Sequence, residues 1–337
     1  NVRAGSVLDV GGGARADGLV QRNYGNAGSL SLKAGMDLNM NWVTGGSLTL
    51  NGELRGSAGT RFRGGELTLQ STLIQVGGTA PADTLLLAPE FFSQGGFTSH
   101  RLIGIGSATG PEQYQPAVVI DNSVVLRPQA RTYIWEPQGL DMNIKGLLPH
   151  PGLRVPASLS FSALGVVEEF SRLIEVRGDI VMREGALIDA GARGTISFQA
   201  DTVSILGAVR ATGGSISVIG ANRIPTLDPN PLAAQATVYL GAASTLSAAG
   251  SFLPSPDPFG RRIGTLLAGG SIKVGGNIVA EEGALLDASG TSEVVDVPPG
   301  GMGKNVTGGD LSEGAPSASG SSGLTAPANG IAATPTR

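Results

Sequence analysis

Hydrophobic and polar residues alternate along residues 174–191, which read IEVRGDIVMREGALIDAG. Apolar or small residues occupy positions 174, 176, 180, 182, 186, 188 and 190, all in one alternating phase. Side chains two residues apart on a strand share a face. The stretch therefore predicts three short strands that bury the same side, with corners at Gly178-Asp179 and Glu184-Gly185. Leu187 is apolar but out of phase, and the pattern does not explain it.

The same stretch recurs at residues 272–289 as IKVGGNIVAEEGALLDAS, with eleven of eighteen positions identical. A shorter template, in which a small residue precedes alternating apolar residues, starts at positions 28, 46, 65, 157, 194, 214 and 270. The interval from 194 to 214 is one unit of 20 residues, so intervals of 37 and 56 predict two and three units. Repeats of this kind indicate stacked coils, and the period of two excludes helical repeats. The prediction is a β-solenoid, or β-helix, of about a dozen turns and about 60 Å.

Several regions interrupt this pattern and are predicted as excursions from the coil. Two are long, at residues 79–107 and 111–156, and two are short, at 225–231 and 254–258. The long ones are rich in phenylalanine or proline, although their RLIGI and AVVIDNSVVL segments look like strands. From position 298 the composition turns to Gly, Ser, Ala and Pro, which predicts a linker or disordered end over 298–337. The shaft of stacked coils is thus predicted for residues 1–297.

The composition narrows the class of protein further. The chain has 53 glycines in 337 residues, 15% charged residues and a net charge of −4, with no basic cluster that would favour nucleic acid. It has no cysteine, which excludes disulfides and thiolate metal sites and suits a chain exported unfolded through a narrow pore. No apolar run reaches the length of a transmembrane helix. The first residue is Asn, so we expect a mature chain or a piece of a longer one.

Five segments resemble the filamentous-haemagglutinin-like large exoproteins of the two-partner secretion pathway. They are GGSLTLNG, GGELTLQS, EGALIDAG, EGALLDASG and, most specifically, LLLAPEFFSQGGFTSHRLIGIG. The resemblance covers about residues 1–297. It implies a right-handed parallel β-helix, export by an outer-membrane transporter and display on the surface of a Gram-negative bacterium. It also implies a role in adhesion or cell contact, through a surface receptor or a glycan.

Arg177, Gly178 and Asp179 spell the integrin-binding tripeptide, which makes them the candidate ligand-binding residues. The repeat carries Gly275-Gly276-Asn277 at the same place, so a tight corner is the favoured interpretation and a ligand the alternative. The glycine-rich segments 104–110 and 11–17 lack the spacing of nucleotide and calcium loops and are interpreted as turns.

An enzyme is the main rival function, because many β-helices are polysaccharide lyases or hydrolases that use converging carboxylates. The candidates are Asp179, Asp189, Asp201 and Asp287, of which Asp189 and Asp287 are predicted to lie about five turns, or 24 Å, apart. His100 and His150 lack neighbours of metal-ligand type in the sequence. The sequence therefore predicts no catalytic residue, metal or cofactor, and the resemblance implies a structural adhesin shaft. The stalk of a contact-dependent toxin is a further alternative.

Overall fold

The computed structural model describes residues 1–17, 21–36, 44–106, 115–138, 141–163, 165–167, 174–221 and 236–296. Strands account for 46% of the residues and helix for 3%. This confirms the predicted all-β class. The predicted linker at 298–337 and the predicted excursion at 225–231 lie outside the described residues.

Most strands belong to three parallel sheets, in which each strand pairs with a strand from the neighbouring turn of the chain. Sheet 1 has seven strands, and their order in space is their order in the sequence. They are Ser29–Lys33, Glu66–Ser71, Ser99–Gly104, Ser158–Ala163, Thr195–Ala200, Ser215–Gly220 and Ser271–Gly275.

Sheet 2 also has seven strands and sheet 3 has five. In sheet 2 the spatial order is Thr84–Leu87, Leu73–Val76, Val118–Ile120, Asp179–Met182, Thr202–Ile205, Thr237–Leu240 and Asn277–Ala280. In sheet 3 it is Val125–Leu126, Leu187–Asp189, Ala208–Arg210, Thr245–Ser247 and Leu285–Asp287. Beginning at Ser99, the chain passes five times through sheets 1, 2 and 3 in the same order.

The core lies between the three sheets and consists of apolar side chains in register. On sheet 2, Ile180 pairs with Val118 and Val203, and all three are completely buried. On sheet 1, the Phe161 and Phe198 rings stack with centroids 5.1 Å apart. Each fully buried side chain of this size contributes about 1.5–3 kcal/mol. Positions 180, 182, 186, 188 and 190 are all buried, as the alternation predicts.

The corner between sheets 2 and 3 has a left-handed backbone in three of the five passes, at Ser123, Gly185 and Gly283. Gly185 has φ 70° and Gly283, its counterpart in the repeat, has φ 101°. Glycine reaches these angles without strain, which explains why both copies read Glu-Gly at this point. The corner also sets the phase of sheet 3, where Ile188 faces the core and Leu187 faces outward.

The remaining strands form five separate pairs. One pair is parallel, Val7–Asp9 with Glu53–Arg55. Four are antiparallel: Ala14–Asp17 with Gln21–Tyr24, Thr132–Gln138 with Asp141–Leu147, Val166–Val167 with Ile174–Val176, and Ser251–Pro254 with Gly264–Leu267. Among the described residues, short 3-10 helices occur at Pro89–Ser93 and Pro151–Leu153.

The first strand of the repeated stretch lies elsewhere than predicted. Ile174–Val176 pairs antiparallel with Val166–Val167, whereas its counterpart Ser271–Gly275 belongs to sheet 1. The place in sheet 1 is taken by Ser158–Ala163, which pairs on both sides in register. A six-residue strand with two neighbours forms more ladder hydrogen bonds than a three-residue one, so the tertiary context overrides the local pattern.

The predicted unit count is also wrong, because long intervals contain insertions rather than extra turns. Ser158 pairs directly with Thr195, and Ser215 pairs directly with Ser271, so intervals of 37 and 56 residues are each one step. The seven strands of sheet 1 span about 29 Å rather than 60 Å, at about 4.8 Å a step. Inserted hairpins such as Ser251–Pro254 with Gly264–Leu267 occupy the additional residues.

The long excursions are partly strands of the sheets. Thr84–Leu87 and Ser99–Gly104 lie within the predicted excursion 79–107, and Val118–Ile120 and Val125–Leu126 lie within 111–156. The RLIGI and AVVIDNSVVL segments therefore form strands, as their sequence patterns indicate. What leaves the sheets is the 3-10 helix Pro89–Ser93 and the hairpin around positions 132–147. The excursion predicted at 254–258 lies within a hairpin that spans 251–267.

The register of sheet 1 can be tested with a disulfide. Ser197 pairs with Ser217 across adjacent parallel strands, and both face away from the core. Cα atoms about 4.8 Å apart satisfy the geometry of a disulfide. We expect the double variant Ser197→Cys and Ser217→Cys to oxidise readily, as seen by thiol titration and non-reducing electrophoresis after proteolysis.

The matched control is Ser160→Cys with Ser217→Cys. Ser160 pairs with Ser197, so these two positions are two steps apart, about 9.6 Å, and cannot be bridged. Equal oxidation of both double variants would contradict the register.

Candidate functional site

A polar cleft of about 970 Å³ lies beside the first turns of the sheets, between the N-terminal strand pair and the hairpin at 132–147. Its lining combines three carboxylates, two guanidinium groups, two amides and one phenol. These side chains are Asp9, Glu53, Glu90, Arg55, Arg131, Gln94, Gln129 and Tyr133. We refer to this region as the polar cleft.

The strand pair Val7–Asp9 with Glu53–Arg55 forms one wall. Leu8 and Leu54 are in register and partly buried, so alternation places Asp9, Glu53 and Arg55 on the exposed face. Arg55 binds Glu53 with two hydrogen bonds of 2.7 Å. This hydrogen-bonded contact lowers the pKa of the Glu53 carboxyl below its usual range. Glu53 is therefore held as a carboxylate.

The other wall, formed by residues 127–133, is connected to the rest of the cleft by hydrogen bonds between segments that are distant in the sequence. The Ser93 hydroxyl, at the end of the 3-10 helix, donates to the carbonyl of Arg127 and accepts from the amide of Gln129. The Tyr133 hydroxyl donates to the carbonyl of Gly12 across the cleft. Burial raises the pKa of the Tyr133 phenol, so it stays a neutral donor. Gln129 and Arg131 thus line the same cavity as Glu90 and Gln94.

None of the polar-cleft residues was singled out from the sequence. The eight side chains come from four segments that lie far apart in the chain, and alternation marks only which residues are exposed. Two segments that the sequence analysis did single out contribute to the lining: the glycine-rich segment 11–17, through Gly11 and Gly12, and the Phe91–Gly106 segment, through Ser93 to Gly96. Phe92 and Phe97 are buried there.

The Arg177-Gly178-Asp179 tripeptide forms the corner that leads into the sheet 2 strand Asp179–Met182. The Arg177 Nε donates to both carboxylate oxygens of Asp179, at 3.0 and 2.7 Å, and its terminal nitrogen donates to the hydroxyl of Thr202. Asp179 also accepts from the amide of Thr202. Its carboxylate is 10% exposed and binds within the protein. This geometry favours the corner interpretation, and the integrin ligand stays the alternative.

Two of the four candidate aspartates lie close together, which the sequence pattern did not indicate. Asp179 accepts from the amide of Thr202, and Asp201 accepts from the amide of Gly178, so each carboxylate binds the neighbouring turn. Both residues are buried. Their hydrogen bonds join adjacent turns, which is a structural role.

Asp189 and Asp287 are separated by fewer turns than predicted. Both belong to sheet 3, where their strands are three steps apart, or about 14 Å. The distance of 24 Å expected from the sequence assumed five units in the intervening 98 residues. The Asp287 carboxylate accepts from Ser289, which lowers its pKa. This separation still places the two carboxylates beyond the 6.5–9.5 Å of an inverting glycosidase pair.

His100 lies in the core rather than in an excursion. It pairs in register with Leu67 and Leu159 and is 2% exposed, and three phenylalanine rings surround it at 5.2–6.4 Å. Neither ring nitrogen has a hydrogen-bond partner among the described residues. Burial lowers the pKa of His100 to about 4. His150 is partly exposed, and its Nδ1 accepts weakly from the amide of Gly152.

In the described part of the chain, no group of three or more His, Asp or Glu side chains is placed to hold a metal ion. Nor does any helix there have the length and apolar character needed to cross a bilayer. In comparisons with known proteins, no family model, no curated protein and no solved structure matches the chain.

The burial of His100 predicts a loss of stability in acid. The folded state holds the imidazole neutral with a pKa of about 4, below the unfolded value of about 6.5. The contribution of the neutral imidazole to the free energy of unfolding is therefore fully present above pH 6.5. It is lost as the pH falls to 4, which lowers the free energy of unfolding by up to about 3 kcal/mol. We expect His100→Leu to remove this loss, as measured by urea unfolding at pH 7, 5.5 and 4.

His150→Asn is the matched control and should keep the pH profile of the natural chain, because it leaves the buried imidazole in place. His100→Leu should also be no less stable at pH 7, since the leucine continues the apolar row and removes two unpaired nitrogens. An unchanged acid loss in His100→Leu would contradict this account.

Proposed function

We propose that residues 1–297 form a right-handed parallel β-helix that serves as a structural shaft segment of a secreted bacterial surface adhesin of the filamentous-haemagglutinin type. The observation that carries the proposal is the fivefold passage of the chain through three parallel sheets in the same order. Returning to the same parallel sheet by a crossover is almost always right-handed, which favours that hand. Stacked turns give a rod that can hold a contact region away from a cell.

The polar cleft supplies a suitable contact region at one end of the shaft. Its amides, carboxylates and guanidinium groups can bind the vicinal hydroxyls of a glycan, and its exposed Leu148 can contact the apolar face of a sugar ring. A glycan on a host or bacterial surface is therefore the proposed partner. The proposal also includes export by an outer-membrane transporter, with which the absence of cysteine is compatible.

The carboxylates of the polar cleft are the observation that favours the enzyme alternative. A polysaccharide hydrolase needs a carboxylic acid whose pKa is raised, so that it can protonate the leaving group. The bidentate contact with Arg55 has the opposite effect on Glu53. Binding without turnover is the better match to this chemistry.

Adhesion of coated beads tests the proposal. Beads that carry the purified chain should bind epithelial cells or Gram-negative bacteria, and free chain should compete. The double variant Gln129→Ala and Arg131→Ala should lose most of this binding, because it removes an amide and a cation from one wall of the cleft. Arg210→Ala is the matched control, since Arg210 is exposed on sheet 3 outside the cleft.

The same preparation should release no reducing or unsaturated sugar from acidic polysaccharides, with or without calcium. Sugar release that is abolished by Glu90→Gln would favour the enzyme. Bead binding no greater than that of uncoated beads on both cell types would count against an adhesive role.

A further inference from the structure

The side chain of His100 lies between the strands of sheet 1 and a segment that leaves the sheets. Three phenylalanine rings of this segment surround the imidazole, with ring centroids 6.4, 5.2 and 6.2 Å away for Phe91, Phe92 and Phe97. Phe92 and Phe97 are themselves buried, so they separate His100 from solvent. We call residues 88–98, which carry all three rings, the aromatic cover.

The two sides of this enclosure are held with different strength. On one side, Ser99–Gly104 pairs over six residues with a strand on each flank. The aromatic cover belongs to no sheet and consists of the 3-10 helix Pro89–Ser93 and a turn in which Gly95 and Gly96 have φ of 66° and 76°. Isolated hydrogen bonds connect it to the rest of the chain, such as that from the Gly56 amide to the Gly95 carbonyl. Because segments without ladder pairing open at the lowest free energy, the cover should open before sheet 1 does.

The aromatic cover also forms one side of the polar cleft. Glu90 and Gln94 line the cavity. The Ser93 hydroxyl donates to the carbonyl of Arg127 and accepts from the amide of Gln129, which joins the cover to the wall formed by residues 127–133. An open cover therefore removes two lining side chains and releases the opposite wall.

Among the described residues, no charged group faces the imidazole. Neither ring nitrogen has a hydrogen-bond partner, and burial is the only cause that shifts the pKa of His100. The 3-10 helix and the paired strands carry Glu66, Glu90 and Arg101, which are all exposed, and Ser158–Ala163 carries no charge. A proton on His100 thus creates a buried charge without acceptor or counter-ion, which is unfavourable until the ring reaches water.

We propose that His100 is an acid-sensitive switch of the polar cleft: when the imidazole is protonated, the aromatic cover leaves the core while the three sheets stay folded. Protonation and ligand binding then oppose each other, because binding needs the closed cover and protonation favours the open one. The weaker glycan contact that follows in acid rests on the proposed function, whereas the opening itself does not.

The size of the effect follows from the difference in the pKa of His100 between the two states. With the cover closed the pKa is about 4, and with the ring in water it returns to about 6.5. The closed state is therefore fully favoured above pH 6.5 and is favoured less as the pH falls towards 4. At pH 4 the ratio of open to closed cover should be about 100-fold higher than at pH 7.

Native-state hydrogen exchange of the whole chain at pH 7, 5.5 and 4, corrected for the intrinsic effect of pH on exchange, tests the switch. Amides of residues 88–98 should lose protection by about 100-fold between pH 7 and pH 4. The amide of Gly56 should follow them, because it donates to the cover. Amides of Thr202–Ile205, four steps from Thr84–Leu87 in sheet 2, should keep their protection.

Two variants remove the titrating group. His100→Leu replaces it with an apolar side chain and His100→Gln with a neutral polar one, so that the test does not depend on how a single variant packs. In both, the aromatic cover should be as protected at pH 4 as at pH 7. His150→Asn is the matched control and should respond like the natural chain, because His150 is partly exposed and lies outside the cover.

Three results would overturn the switch. The first is protection of residues 88–98 that does not change between pH 7 and pH 4. The second is an equal loss of protection across all three sheets, which is global unfolding. The third is a loss that persists in both His100→Leu and His100→Gln. Exchange is measured without a ligand, so failure of the bead assay would count against the proposed function alone.

Discussion

The in-register stacking of apolar side chains from parallel strands is the interaction on which the rest of this structure depends. In every turn, alternate residues of the three sheets face one core, and each covers the equivalent residue of the turn before it. Ile180 between Val118 and Val203 is the simplest example. A turn cannot bury its core face alone, so the stability of each turn comes from its neighbours. Polar corner contacts, such as Asp179 with the Thr202 amide, reinforce the same register.

The surface features follow from what the stack leaves free. Insertions between strands leave the sheets as hairpins and do not disturb the register, which is why Ser158 still pairs directly with Thr195. At one end, the N-terminal strand pair, a 3-10 helix and a hairpin cover the core and enclose the polar cleft. At the other end the core is exposed at Ile278 and Leu286. The candidate binding surface, the polar cleft, thus lies where the inserted segments meet the first strands of the sheets.

The sequence predicted the all-β class and the buried phase of positions 180–190, because alternation depends only on which side chains share a face. It did not predict which segments become neighbours. Ile174–Val176 and Ser271–Gly275 come from nearly identical stretches, yet only the second lies in sheet 1. Ser158–Ala163 occupies the place in sheet 1 that the pattern predicts for Ile174–Val176, and it pairs with its neighbours over more residues. The number of turns predicted from the repeat spacing was wrong for a related reason, since an inserted hairpin adds residues without adding a turn.

The polar cleft could not be predicted, because it depends on contacts between segments without a local pattern. Glu90, Arg131 and Asp9 are unremarkable exposed residues in the sequence. Only the fold of the first turns brings them to one cavity. His100 illustrates the converse case. A histidine between Phe97 and a strand pattern was interpreted as part of an excursion, although the alternation of RLIGI already placed position 100 on the face of Leu102.

The central claim is that each turn is stabilised by the turns next to it. Native-state hydrogen exchange of the Ile180→Ala variant tests this claim most directly. Truncating the Ile180 side chain to alanine leaves a cavity between Val118 and Val203. The free energy of unfolding should fall by about 2–5 kcal/mol. The account predicts faster exchange first in Val118–Ile120 and Thr202–Ile205, with Asn277–Ala280 affected least. A uniform rise in exchange across all three sheets would contradict it.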